Sequence, residues 1–403
     1  MTKLFLGFLV ALSAVAQTTV DPGRVERLLQ RAVVIDLHDD TTQMILDEGY
    51  NLGEKHDYGQ VDIPRMRIGG VGGMFLSIWT DTDVYTPTEA VRRTLEQIDA
   101  VRREIGRHPG ELELVGSADQ IVAARKRGRI AMLMGIEGGM AIDSDLAVLR
   151  TYFALGARYM TLTHTKNTPW ADSSGQSPEH NGLTELGREV VREMNRMGMM
   201  VDISHVSDKT FYDALAVSSA PLIASHSSCR ALADVPRNMS DEMLRALAAK
   251  GGVVHINYFE GFLDAGFAAR IATLEQEQKA ERDAIDSRSP KFGDRSHNGP
   301  AQRKLNVRYT AALGRVPLSR LLDHFEHAVK VAGIDHVGLG SDFDGVSDQL
   351  PEGMEDVSKM PNLVRGLMER GFSDDDILKI LGGNTLRVMR AVEQRRAAAR
   401  GRL

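Results

Sequence analysis

Eight short runs of apolar residues, each followed by a stretch with helical spacing, constrain the fold of this chain more than any other feature. The runs span 33–37, 73–79, 130–136, 157–163, 199–203, 221–225, 252–257 and 336–340, and several are almost unbroken Val, Ile, Leu and Met. Such runs are expected of parallel strands covered on both faces. Between them, segments such as 119–127, 183–197 and 243–250 carry apolar residues three and four apart, and Ser240 and Ser373 stand where helix N-caps belong. Eight strand–helix repeats predict a closed (β/α)8 barrel of the TIM type rather than an open doubly wound sheet. No Gly-x-Gly-x-x-Gly opens a helix after the first run, and the glycines of 69–73 precede a strand, so they read as a turn.

The chain is long enough for such a barrel, which needs about 250 residues, with additions. It has 403 residues, of which 42% are hydrophobic. Two additions are expected: a short extra strand at 112–115 outside the barrel, and an exposed, partly helical insertion at 267–303 between barrel strands seven and eight. Residues 1–16 join Lys3 to an apolar stretch and end in Ala14-Val15-Ala16, the form of a secretory signal cut after Ala16. It is too short to span a bilayer, so the expectation is one exported domain over 17–403, periplasmic or secreted, without a stable membrane anchor. A net charge of −6 leaves no basic surplus for nucleic acid. The single cysteine, Cys229, has no partner for a disulfide and reads as a structural thiol.

Metal-capable residues fall where the predicted strands end. His38 and Asp40 follow the first strand, Glu137 the third, His164 the fourth, His205 the fifth, His226 the sixth and Asp342 the eighth. That is the rim on which barrel enzymes assemble active sites. In His38-Asp39-Asp40, alternation along an extended chain turns His38 and Asp40 to one side. Glycines flank Glu137, and its two oxygens can bridge two cations. Three His and two carboxylates suit Zn2+. Five ligands exceed one tetrahedral ion but suit two ions about 3.5–4 Å apart. That favours a two-metal hydrolase.

The chain also resembles the membrane (renal) dipeptidase family of zinc metallopeptidases, among the amidohydrolase-like barrels, from about Ala32 to Gln394. The resemblance is carried by Asp36-Leu37-His38-Asp39-Asp40, Gly135-Ile136-Glu137-Gly138, the segment 162–172, Asp202-Ile203-Ser204-His205-Val206-Ser207, Ser225-His226-Ser227-Ser228, Arg237-Asn238, the segment 340–345 and the segment 351–356. It implies two zinc ions per chain, with His38 and Asp40 on one, His205 and His226 on the other, and Glu137 bridging. It further implies that His164 stabilises the oxyanion, that Arg237 grips the substrate's C-terminal carboxylate, that Asp342 moves the proton, and that the protein forms a homodimer. Asp39 stands where the family has Asn, and adds an acid beside the ligands.

The activity expected is hydrolysis of dipeptides, including those with a C-terminal D-residue. Two other activities fit the same residues: an amidase acting on N-acyl-amino acids or β-lactams, or an exported binding protein without catalysis.

Overall fold

The computed structural model describes residues 20–288, 291–292, 298–311 and 313–400. The expected signal sequence lies outside the described residues.

Among the described residues nine strands form one parallel sheet: β1 (Val34–Asp39), β2 (Val71–Trp79), β3 (Leu112–Leu114), β4 (Ile130–Glu137), β5 (Ala157–Thr161), β6 (Met200–Asp202), β7 (Ile223–Ala224), β8 (Val253–Ile256) and β9 (Val337–Leu339). Their order is β2-β1-β9-β8-β7-β6-β5-β4-β3, and a further ladder between β2 and β4, running from Gly73↔Ala131 to Trp79↔Glu137, closes eight of them into a barrel. The ninth, β3, pairs with Ile130–Met132 of β4, below the point where β5 begins to pair at Met134. It is the extra strand expected outside the barrel.

Side-chain alternation divides the core in two. Ile35, Phe75, Leu133, Tyr159, Met200, Ile223 and Val253 pack in one cluster with Leu386, Val388 and Met389 of the C-terminal helix Asn384–Arg400. Their sequence neighbours Val34, Met74, Met132, Met134, Met160 and Val254 belong to the larger cluster that the surrounding helices complete. Helix starts follow local chemistry: the Ser240 side chain accepts from the Met243 N–H, and Ser373 and Asp376 form a capping box.

The insertion is wider than 267–303. The chain leaves the barrel at Glu260, forms helix Ala265–Asp286 and helix Asn298–Thr310, and returns at Val316, whose N–H donates to the buried Glu260 carboxylate at 2.5 Å. Phe267, Ile271 and Leu305 are buried, so the insertion is docked rather than loose. Their spacing was diluted by charged residues in the sequence.

Candidate metal centre

Every barrel strand sends a polar side chain to the C-terminal rim. His38 ends near the top of β1 with Asp40 just beyond. Ser77 and Trp79 close β2, and Glu137 closes β4. His164, His205 and Asp342 lie three residues past β5, β6 and β9, and His226 and Asn257 follow β7 and β8. His205 and Asp342 both adopt φ +64°, a left-handed conformation uncommon outside glycine. Strain of this kind persists where the surroundings over-determine a residue.

The carboxylate of Glu137 sits at the centre. Its Oε2 lies 3.3 Å from His38 Nε2, and its Oε1 lies 3.1 Å from His205 Nε2 and 3.4 Å from His226 Nε2. His38 Nε2 is also 3.4 Å from Asp40 Oδ2. Three groupings bring ligand atoms within 4.8 Å of one another: His38, Glu137 and His226; Glu137, His164 and His205; and His38, Asp40 and Asp342. The structure thus brings together all seven rim residues singled out in the sequence.

Hydrogen bonds behind the rings set which nitrogen faces inward. The Ser225 hydroxyl donates to Asp202 Oδ2 at 2.6 Å and so accepts from His226 Nδ1–H at 2.7 Å, leaving Nε2 as the bare nitrogen toward Glu137. His38 Nδ1 is 2.8 Å from the Tyr159 hydroxyl. Ser77 donates to Glu137 Oε2 at 2.9 Å. Nothing in the sequence marked Tyr159 or Ser77, but Asp36 and Asp202, lone acids in apolar strands, were a usable sign: both are buried and accept backbone N–H groups at the strand ends.

Electrostatics separate the imidazoles. Burial, with Arg237 and neighbouring imidazoles adding, holds His205 and His226 well below the usual histidine range, so both are neutral, the state a metal ligand requires. Burial opposes protonation of His38 too, yet Tyr159, Glu137 and Asp40 outweigh it and raise His38 well above that range. Burial likewise works against ionised Glu137, but His38 and His164 hold it well below the carboxylate range. The centre therefore draws positive charge. Its donor set fits divalent cations on a second count: His38 Nε2 is buried and has no hydrogen-bond partner.

Asp39 is not part of these groupings. Its Oδ1 accepts from Thr41 Oγ1 at 2.8 Å, and the same hydroxyl lies 2.6 Å from Asp344. Burial and the nearby Asp344 charge push Asp39 well above the carboxylate range, so it adds no full charge beside the ligands.

A cavity of about 380 Å3 opens above the centre, floored by Asp40, Glu137, His164, His205 and Asp342 and walled by Trp79. A larger groove, about 680 Å3, lies elsewhere over Val91, Leu95 and Val148, away from the metal-capable groupings, and ligand chemistry decides for the smaller one. Arg237 stands beside the floor: Nη1 donates to Ser227 Oγ at 2.7 Å, Nη2 to the His226 carbonyl at 2.6 Å, and the guanidinium lies 5.4 Å from the Phe262 ring. Its Nε is buried without a partner, and burial lowers its pKa to about 10.

Comparisons with known proteins bear on the family and the fold. The chain is 36% identical over 391 residues to an uncharacterized dipeptidase of Schizosaccharomyces pombe, covering 92% of this chain and 83% of that one. It is 34% identical over 388 residues to Dipeptidase 3 of Homo sapiens, covering 94% and 69%. The crystal structure of the probable dipeptidase PvdM from Pseudomonas aeruginosa superposes with a TM-score of 0.77 at 27% identity, covering 93% of this chain and 98% of the other. The profile of the membrane dipeptidase family, peptidase family M19, matches residues 23–402, and the chain belongs to that family of metallo-dipeptidases.

Proposed function

We propose that this protein is an exported zinc dipeptidase that cleaves the single peptide bond of dipeptides, with His38 and Asp40 holding one ion, His205 and His226 a second, and Glu137 shared between them. The observation that carries the reading is the division of Glu137: one oxygen faces His38 and the other faces His205 and His226. When bound, two such cations polarise a peptide carbonyl and lower the pKa of water toward neutrality.

The protein's own groups supply the rest. The Trp79 indole, a donor only, gives its N–H to His164 Nδ1 at 3.1 Å. Burial holds His164 below the usual histidine range, so the ring is neutral and its one proton sits on Nε2. That proton is the donor offered to a developing oxyanion. Asp342 Oδ2 accepts from Asn257 Nδ2 at 2.8 Å, and burial, opposed by His38 and reinforced by Asp40 and Glu137, raises it to about 7. A carboxyl poised there can take a proton from the attacking water and give it to the leaving amine. Arg237, braced by Ser227 and the His226 carbonyl, keeps donors for a substrate C-terminal carboxylate, which accounts for short substrates.

The test is metal content per chain together with hydrolysis of L-L and L-D dipeptides before and after chelation. About two zinc ions and chelator-sensitive release of free amino acids are expected. Two ions without dipeptide turnover would move the assignment to another amide bond, and a chain that binds no metal would overturn it.

A further inference from the structure

The insertion helix Ala265–Asp286 contributes two charged residues, Glu275 and Arg282, to the wall of the cavity above the metal centre. Phe267, Ile271, Gln278 and Arg282 follow one another at helical spacing along its inner face, the first three buried. Gln278 is only 2% exposed, and its amide nitrogen has no hydrogen-bond partner. Its Oε1 accepts from Arg282 Nη2 at 3.0 Å, which fixes the guanidinium. Among the described residues Arg282 is the only lysine or arginine lining the cavity; its charge acts on Glu275 of the same wall, and its one side-chain hydrogen bond is to Gln278. The buried Gln278 amide donor, beside a guanidinium that faces the cavity, offers hydrogen-bond donors to an acceptor there.

The helix's position says which part of a substrate would supply it. Past its C-terminal end, Lys291 and Phe292 lie beside the loop that follows β2 and the helix after it: Lys291 pairs with Glu89 at 2.9 Å, the Tyr85 hydroxyl donates to the Lys291 carbonyl at 2.6 Å, and Arg92 lies over Phe292 at 4.0 Å. In the barrel order, β2 is across from β6 and β7, which lead to His205 and His226 with Arg237 beside them. A dipeptide with its carboxylate at Arg237 therefore points its first residue toward Trp79 and Arg282.

Resting on the dipeptidase reading, we propose that Arg282, fixed by Gln278, is a specificity residue that selects dipeptides whose first residue carries a side-chain carboxylate. The test uses the full-length, metal-loaded protein and the isosteric pair L-Glu-L-Ala and L-Gln-L-Ala, with L-Lys-L-Ala beside them. Wild type should favour Glu-Ala over Gln-Ala about tenfold in kcat/KM, chiefly through KM, as a charge-assisted contact predicts. Arg282→Gln should bring the ratio near one, and Arg282→Glu should turn the preference to Lys-Ala. In chelated protein, which does not turn over, calorimetry should again rank Glu-Ala above Gln-Ala. A wild-type ratio near one, a ratio unmoved by Arg282→Gln, or a wild-type preference for Lys-Ala would each overturn the proposal while leaving the dipeptidase reading intact. Hydrolysis of none of the three would overturn both.

Discussion

At the scale of single residues, the centre depends on groups that stand behind the metal-capable side chains. Tyr159 is one: it is buried, and its hydroxyl meets His38 Nδ1. Tyr159→Phe should weaken metal affinity about tenfold or more, the usual cost of losing such a partner, with activity recovering in excess metal. A titration with a competing chelator measures it. Gly135 is another, because a Cβ there would lie 1.9 Å from the Tyr159 ring. Gly135→Ala should cost about 1–3 kcal/mol from overpacking and displace the Tyr159–His38 contact as well. Denaturant unfolding and metal titration should therefore both respond. The sequence revealed His38, Asp40, Glu137, His164, His205, His226 and Asp342 because each stands where an apolar run stops. Tyr159 and Ser77 were hidden because a strand residue facing a barrel interior looks like any other strand residue.

At the scale of elements, all eight barrel runs were legible, since parallel strands covered on both faces need continuous apolar side chains. Strand ends were less so. The run at 221–225 yields only the two-residue β7, because Ser225 turns its N–H and hydroxyl to Asp202 instead of continuing the ladder. The insertion's docking was illegible, since Phe267, Ile271 and Leu305 are few and separated by charges. Its base carries a pH dependence. Burial raises Glu260 to about 7, against the opposing Val316 N–H and the charges of Arg315 and Arg270. A carboxyl whose folded pKa lies above its unfolded value of about 4.5 binds its proton more tightly in the native state, so its contribution to stability is full below pH 4.5 and is lost as pH rises toward 7. Glu260→Gln keeps an oxygen for the Val316 N–H and removes the titration. Its Tm should rise relative to wild type between pH 5 and 8 by a few degrees, which paired thermal melts would detect.

At the scale of the whole molecule, the fold concentrates acid where it is least comfortable. Asp36, Asp39, Asp40, Glu137 and Asp342 are all buried around one end of the barrel. Burial works against the ionised forms of Asp36 and Asp342, and bound cations would offset that cost. Chelation should therefore lower Tm by several degrees, and added zinc should restore it in a concentration-dependent way, since a ligand present at a hundred times its Kd stabilises by about 2.7 kcal/mol. Calorimetric scans across a zinc series check this. A Tm indifferent to chelator would mean that the acids are neutralised by protons rather than by metal. Among the described residues no helix is long and apolar enough to cross a membrane.

The small chamber at the rim of the barrel carries a consequence of size. The insertion helix lines one wall of a chamber of about 380 Å3, space on the scale of a short peptide. On the dipeptidase proposal, folded proteins would be too large for a chamber of that size. On that same proposal, such a hydrolase would depend on other proteases to supply its fragments.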